Sequence, residues 1–500
     1  VKHLNGMFAF TIFDADRNSV FLARDRLGEK PLYYSLKNDA IYFSSELKPL
    51  LYLTNDNRNI SYEGLNFYLS MGYVPSGNTL INNIKKLPPA HAMVFNIKTG
   101  DLKTWKFWTL PHLKNNLGSD EKVSNDVEKL LSDSVQKQLQ ADVPVGVLLS
   151  GGVDSSLITA MASKYTEKIK SFTVSFSGSE EFNESKHARL IANYFHTEHI
   201  ELDAQRSDPQ LLIDIAQDFD DPIIDSSIIP TYLVSRLVSD HCKVVLGGDG
   251  GDELFGGYRY YGRLLWLQRN IKIVPKPLLR LISKISQNHL PIGFTGKNWA
   301  SALKVDFNSQ LPHVTSFFDP IARRSLLEEH HFSSEPDEFF EKNVSDDQHL
   351  IQRATRMDVT NFLPEDILVK VDRSSMLNSL EVRAPFLDYK LVEYAFSEVP
   401  SSLKANHQSK KIILKSLAKK LLPKEFDRDR KQGFSVPMND WLKEEKWKNI
   451  TYDILNDSPI YNKKFINGLF KGISKGRNNG ERLFGLTLFE LWRKNNNLTL

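Results

Sequence analysis

Short apolar runs separated by turn residues dominate the first hundred positions, a pattern of β-sheet rather than of helix. Residues 7–13 are rich in aromatics, a turn follows at 14–18, and the runs 20–23, 32–34 and 41–43 continue the pattern. Ser61 reads as the N-cap of a helix that ends near Met71 and Gly72. Residues 91–96 are extended again, with a turn at Thr99 and Gly100 before the aromatic stretch 105–108. The asparagines, Gly118 and Ser119 within 111–121 predict a linker. After it, Val123, Val127, Leu130, Leu131, Val135 and Leu139 recur at helical spacing, so 120–140 is expected to be an amphipathic helix.

A different rhythm begins at Val145. Residues 145–149 form a short buried strand that stops at Ser150, and 157–163 reads as the helix that follows two glycines. Runs at 172–176, 199–202 and 244–246 then alternate with helical patterns at 184–195 and 226–239. Alternating β and α units predict a parallel sheet with helices on both faces. In such sheets ligands bind at the C-terminal strand ends, where the strand order reverses. The expected class is α/β: a doubly wound parallel sheet with a β domain before it.

Composition narrows the function. Five hundred residues exceed one ordinary core, so two or three domains are expected. A net charge of +3 gives no support to nucleic-acid or membrane-surface binding, and no apolar run is long enough to span a bilayer. The N-terminus lacks a signal-peptide pattern, and the single cysteine, Cys242, forms no internal disulfide and suits a reducing cytoplasm.

Two strand ends carry the conspicuous chemistry. VGVLLSGGVDSS at 145–156 turns on Gly151 and Gly152 and aims backbone N–H groups, Ser150, Ser155 and Ser156 at a helix N-terminus, a ready anion site. Asp154 adds a carboxylate suited to a metal held by phosphate oxygens, and no GxxxxGK[ST] is present. In GGDGGDELFGGY at 247–258, six glycines surround Asp249, Asp252 and Glu253, combining close backbone approach with acidic groups for Mg²⁺. At Asp225 and Ser226, hydroxyls and N–H groups at a helix start can hold a substrate carboxylate. In 361–388, Asp372, Arg373, Glu381, Arg383 and Asp388 punctuate an apolar helix and turn. Buried ion pairs account for them as readily as a substrate pocket does.

The 145–156 string resembles the pyrophosphate loop of the ATP pyrophosphatase (adenine nucleotide alpha hydrolase-like) superfamily. LNGMFAFTIFD, LARDRLGEKPLYY and IYFSSELKPLL resemble the later part of the glutaminase domain of glutamine-hydrolysing asparagine synthases. RKQGFSVP at 430–437 resembles that family's loop bearing a catalytic lysine, here Lys431. The resemblance runs from Asn5 to the C-terminus. It implies a partial N-terminal-nucleophile glutaminase domain over 1–110, a linker over 111–121 and a synthetase domain over 122–500. It further implies adenine and ribose contacts at Leu149, Val174, Gly247 and Gly248, metal-binding aspartates at Asp154 and Asp252, and catalytic groups at Lys431, Asp249 and Glu253. Well-known members carry Glu at the position of Asp249.

The family's glutaminase uses an N-terminal cysteine whose free amine is the base. Val1 supplies no such nucleophile, and Cys242 is internal. The expectation is therefore an N-terminally truncated chain that needs free ammonia, either as a fragment or by natural loss. The implied reaction is ATP- and Mg²⁺-dependent amidation of L-aspartate through β-aspartyl-AMP, releasing AMP and pyrophosphate. Two alternatives stay open: an amidoligase for a sugar acid, peptide or β-lactam precursor, and a catalytically silent ATP-binding relative. Exposed apolar edges of a partial glutaminase sheet make a homodimer possible.

Overall fold

The computed structural model describes residues 1–54, 58–176, 184–204, 208–328, 331–430 and 436–499. The turn-punctuated runs of the first hundred residues form two antiparallel sheets. Strands β1 (Ala9–Asp14), β2 (Ser19–Arg24), β3 (Tyr33–Lys37), β4 (Ala40–Ser44), β5 (Lys85–Lys86), β6 (His91–Asn96) and β7 (Leu102–Lys106) pair in the orders β1-β2-β6-β7 and β4-β3-β5. Side chains alternate along β2, so Val20 and Leu22 enter a core with Leu87, Met93 and Phe95. On the edge strand β1, Ile12 and Phe13 stay exposed, as expected of an apolar edge. Helix Tyr62–Met71 starts where Ser61 Oγ accepts from Gly64 N at 3.1 Å and ends on Gly72 at φ 93°.

Helix Asp120–Gln138 is capped by Ser119 and turns Val123, Val127, Leu131 and Val135 inward. They pack against one face of a five-stranded parallel sheet made of β8 (Val145–Leu148), β9 (Lys170–Phe176), β10 (Glu198–Ala204), β11 (Val244–Leu246) and β12 (Glu381–Arg383). Val147 and Leu246 point to that face. Leu148 and Val245 point to the other, where Val234 and Val238 of helix Ile228–Ser239 cover them. Both faces are therefore roofed, as a doubly wound sheet requires. The strand order is β10-β9-β8-β11-β12. The chain runs outward from β8 through β9 and β10, then returns to place β11 on the opposite side of β8. The order reverses between β8 and β11.

Two expectations differ from the structure. The helix after the glycine turn spans Val153–Ala162 and not 157–163, because Gly152 serves as its N-cap and Asp154, Ser155 and Ser156 already lie in its first turn. Glu381–Arg383, expected within a helix and turn, is the strand β12. Its conformation is set by pairing with β11, Val244 to Glu381 and Leu246 to Arg383, which a three-residue segment does not announce locally. The helical part of 361–388 is a π-helical stretch, Asp358–Ile367, running into helix Leu368–Met376. A second large core joins Tyr68 of the N-terminal region to Phe219, Phe318, Trp441 and Trp492, so both halves of the chain share buried apolar surface.

Candidate functional site

Because the order reverses between β8 and β11, the turns leaving these strands lie side by side. They open on a cavity of about 510 Å³ lined by Leu149, Ser150, Gly152, Asp154, Ser155, Val174, Gly247, Gly248, Asp249, Asp252 and Glu253. Gly151 and Ser156 stand behind this surface. Gly151, at φ +74°, packs its backbone so closely on the next helix that a Cβ would lie 2.7 Å from Ala188 N. Ser156 is fully buried. The turn is held by its own hydroxyls: Ser155 Oγ accepts from Ser150 N at 3.2 Å, and Ser150 Oγ accepts from Gly152 N at 3.3 Å. The N–H groups and hydroxyls of the helix start face the cavity at the positive end of the helix dipole, where an anion is stabilised.

The acidic loop folds over this turn because its glycines leave room. A Cβ on Gly251 would sit 2.8 Å from Asp154 Cγ, and one on Gly257 would sit 1.7 Å from Asp252 Oδ1. Between the two loops stands Lys411, whose Nζ pairs with Asp154 and lies 2.8 Å from Asp252 Oδ1. Burial alone would lower the Lys411 pKa, but the two carboxylates hold it above the usual lysine range. Burial pushes Asp249 up, with Lys370 opposing and Asp154 and Asp252 reinforcing the rise. Burial, aided by the Asp252 charge, lifts Glu253 to about 8 while the Tyr258 hydroxyl donates to it.

Asp154 and Asp252 are thus close enough to share one cation, beside a phosphate-sized anion site. Mg²⁺ is commonly held by one or two carboxylates plus substrate phosphates, so this donor set fits it. Among the described residues there is no cluster of three or more His, Cys, Asp or Glu side chains arranged for a metal. Phosphate oxygens would have to complete the coordination.

The expected substrate-pocket residues are dispersed. Asp225 accepts from Lys370 Nζ at 2.6 Å, and Lys370 lines the cavity. Ser226 is buried and gives its hydroxyl to Glu481 at 2.6 Å. Arg373 turns away to Asp220 at 3.2 Å and to the Ser45 carbonyl at 2.9 Å. Glu381 and Arg383 pair with each other at 2.6 Å, and Arg383 also binds the Gln138 carbonyl at 2.7 Å. None of Ser226, Arg373, Glu381 and Arg383 lines the cavity. Asp372 pairs with Lys30 at 2.7 Å across the interface with the N-terminal region. Lys431 lies outside the described residues, although Arg428, Asp429 and Arg430 just before it line the cavity.

Sequence reasoning missed Lys370 and Lys411. Lys411 did leave a signal. A lysine directly before the apolar helix Ile412–Leu421 stands at the unfavourable end of the helix dipole, and it adopts φ 51°, rare for a side-chain-bearing residue.

Comparison with known proteins agrees with this geometry. The asparagine synthase family model matches residues 126–494, and the glutamine amidotransferase domain model matches residues 1–108. The expectation that the amidotransferase part is truncated gains no support from that second match. A Bacillus subtilis protein named asparagine synthetase (glutamine-hydrolyzing) 1 is 31% identical over 99% of this chain and 78% of its own length. A putative asparagine synthetase (glutamine-hydrolyzing) 2 of Methanocaldococcus jannaschii is 31% identical over 77% of this chain and 75% of its own. A Gibberella zeae protein named amidase chry2 is 25% identical over 88% of this chain and 71% of its own length.

Proposed function

Since the chain belongs to the asparagine synthase family and is a carbon–nitrogen ligase of its glutamine-hydrolysing type, we propose that it converts L-aspartate to L-asparagine with ATP. The observation that carries this reading is the meeting of the glycine–serine turn and the acidic loop at one cavity where the strand order reverses. We assign residues 1–110 to the amidotransferase part, 111–121 to the connection and 122–500 to the synthetase, in keeping with the extents of the two family matches.

In this reading the ATP β- and γ-phosphates lie against Ser150, Gly152 and Ser155, while the nucleoside extends towards Leu149, Val174, Gly247 and Gly248. Asp154 and Asp252 would hold Mg²⁺, which neutralises phosphate charge when bound. The aspartate side-chain carboxylate attacks the α-phosphorus, the bond to the β-phosphate oxygen breaks, and pyrophosphate leaves from β-aspartyl-AMP. Lys431 stabilises the charge that develops there. Ammonia then adds to the acyl carbon, its surplus proton passes to a carboxylate, and AMP departs. Asp249 suits that base role, because burial raises its proton affinity within the cavity.

The one cysteine of the sequence has its Sγ 2.9 Å from the Val244 carbonyl and 3.1 Å from that of Pro144. It carries no free amine and is remote in kind from an N-terminal nucleophile. Among the described residues no helix is long and apolar enough to cross a membrane, and the buried single thiol suits a reducing cytoplasm.

The test is pyrophosphate release from ATP–Mg²⁺ with L-aspartate and either ammonium chloride or glutamine. Aspartate-dependent release is expected with ammonium as the nitrogen source. Release that ignores aspartate but responds to another acid would overturn the substrate assignment.

A further inference from the structure

The small net charge of the chain conceals a strong local asymmetry. Between Arg259 and Lys304 there are nine Lys and Arg residues and no Asp or Glu. Lys297 is buried and pairs with Asp319 at 2.7 Å. The other eight are exposed, and among the described residues none of them forms an ion pair.

The same segment is turned inside out. Helix Lys276–His289 buries Leu279, Ser283 and Ser286. Ser283 donates to the Ser301 carbonyl at 2.6 Å and Ser286 to the Lys297 carbonyl at 2.9 Å, which fixes the helix rotation. The opposite result is an aliphatic stripe in solvent: Leu278, Leu281, Ile282 and Ile285, spaced i, i+3, i+4 and i+7, are all exposed. Ile273, at 84% exposure, Trp266 and Phe294 are also exposed in the same segment. Lys276, Arg280 and Lys284 recur every fourth residue on a second exposed line of the helix. An adjoining groove of about 600 Å³ is lined by Arg259, Arg263, Trp266, Trp299, His407 and Lys410, with no carboxylate among the described residues. The Arg263 guanidinium lies 5.0 Å from the Trp299 ring centre.

We propose that residues 259–304 dock this enzyme on an anionic phospholipid surface, with the Leu278–Ile285 stripe entering the acyl boundary and the Arg–Trp groove receiving a headgroup phosphate. A helix with an aliphatic face, a Lys/Arg face and aromatic neighbours is the chemistry of an interfacial helix. A second copy is a poor occupant, because a two-fold contact would bring two sets of unpaired basic residues together. The inference is independent of which acid the enzyme amidates.

The test is flotation of the full chain with vesicles of phosphatidylcholine alone or with about a third phosphatidylglycerol, at low and high salt. Binding that requires the anionic lipid and weakens with salt is expected. At about fivefold per basic residue near such a surface, K276Q/R280Q/K284Q should lower partitioning on the order of 10²-fold. L281E/I285E should abolish it. These side chains are exposed, so both variants should keep wild-type circular dichroism and pyrophosphate release, which separates lost docking from lost fold. Equal binding to neutral vesicles, or no vesicle binding, overturns the proposal. So does a concentration-dependent dimer, or an acidic protein complex, that L281E/I285E abolishes in the absence of vesicle binding.

Discussion

Lys411 Nζ lies 2.8 Å from Asp252 Oδ1 while also pairing with Asp154, so one ammonium joins the loops that leave β8 and β11. Without it, two largely buried carboxylates would lose the cation they share. Breaking a buried pair by removing one partner costs about 3–5 kcal/mol. Lys411→Met is expected to melt well below wild type in EDTA and to recover in Mg²⁺, which can replace the lost cation between the aspartates. Scanning calorimetry with and without Mg²⁺ reads this directly. A variant as stable as wild type in EDTA would show that the loops are held by something else.

Glu253 gives a pH signature. Burial holds its carboxyl at about 8, so the folded protein keeps a proton that the unfolded chain releases near 4.5. Between those values the unfolded state binds fewer protons, and stability falls as pH rises. Glu253→Gln removes this term while leaving an oxygen to accept from Tyr258. The variant should match wild type near pH 4 and exceed it at pH 8 by roughly 4 kcal/mol. Urea denaturation at the two pH values checks the difference, and an equal gap at both would remove Glu253 as its source.

The parts legible in the sequence were those written in contiguous residues. The 145–156 and 247–258 strings each combine strand, turn and polar side chains locally, and the cavity forms where both strands end. Ser61 and Gly72 announced the ends of one helix because capping is a short-range interaction. What escaped depends on partners far along the chain. β12 exists only against β11. Lys370 reaches Asp225 across 145 positions, and Lys411 reaches Asp154 across 257. Arg373, Glu381 and Arg383 looked equally suited to a pocket or to ion pairs, and residue type alone does not say which way a side chain faces.

Asp249 tests the proposed base. Its replacement by Asn keeps the size of the side chain but removes the proton acceptor. Asp249→Asn should lower asparagine formation by about 10²–10⁴-fold, while aspartate-dependent exchange of pyrophosphate into ATP persists. Loss of both activities together would move Asp249 from the ammonia step to ATP binding or adenylation.

Lys431 is assigned to the first step instead. Lys431→Ala should reduce kcat on the order of 10²-fold, and pyrophosphate exchange should fall with it. Near-normal exchange in this variant would remove Lys431 from adenylyl transfer.

The N-terminal region is clamped to the synthetase through Lys86. Its ammonium lies 2.7 Å from Glu365 and 3.6 Å from Asp221, and it donates to the Val74 carbonyl at 2.8 Å. All three charged side chains are buried. Lys86→Met would strand two carboxylates away from water, a loss of about 3–5 kcal/mol. Neutralising one of them should return part of that loss, because the penalty lies in the unpaired charge more than in the missing attraction. Lys86→Met with Glu365→Gln is therefore expected to be more stable than Lys86→Met alone. If the pair acts as a clamp, the single variant should also be cut faster within 111–119, the segment before helix Asp120–Gln138, in limited proteolysis. Additive destabilisation in the double variant would mean that Glu365 is held by its other contact, Ser76, and that the joint depends on the shared apolar core around Tyr68 and Trp492.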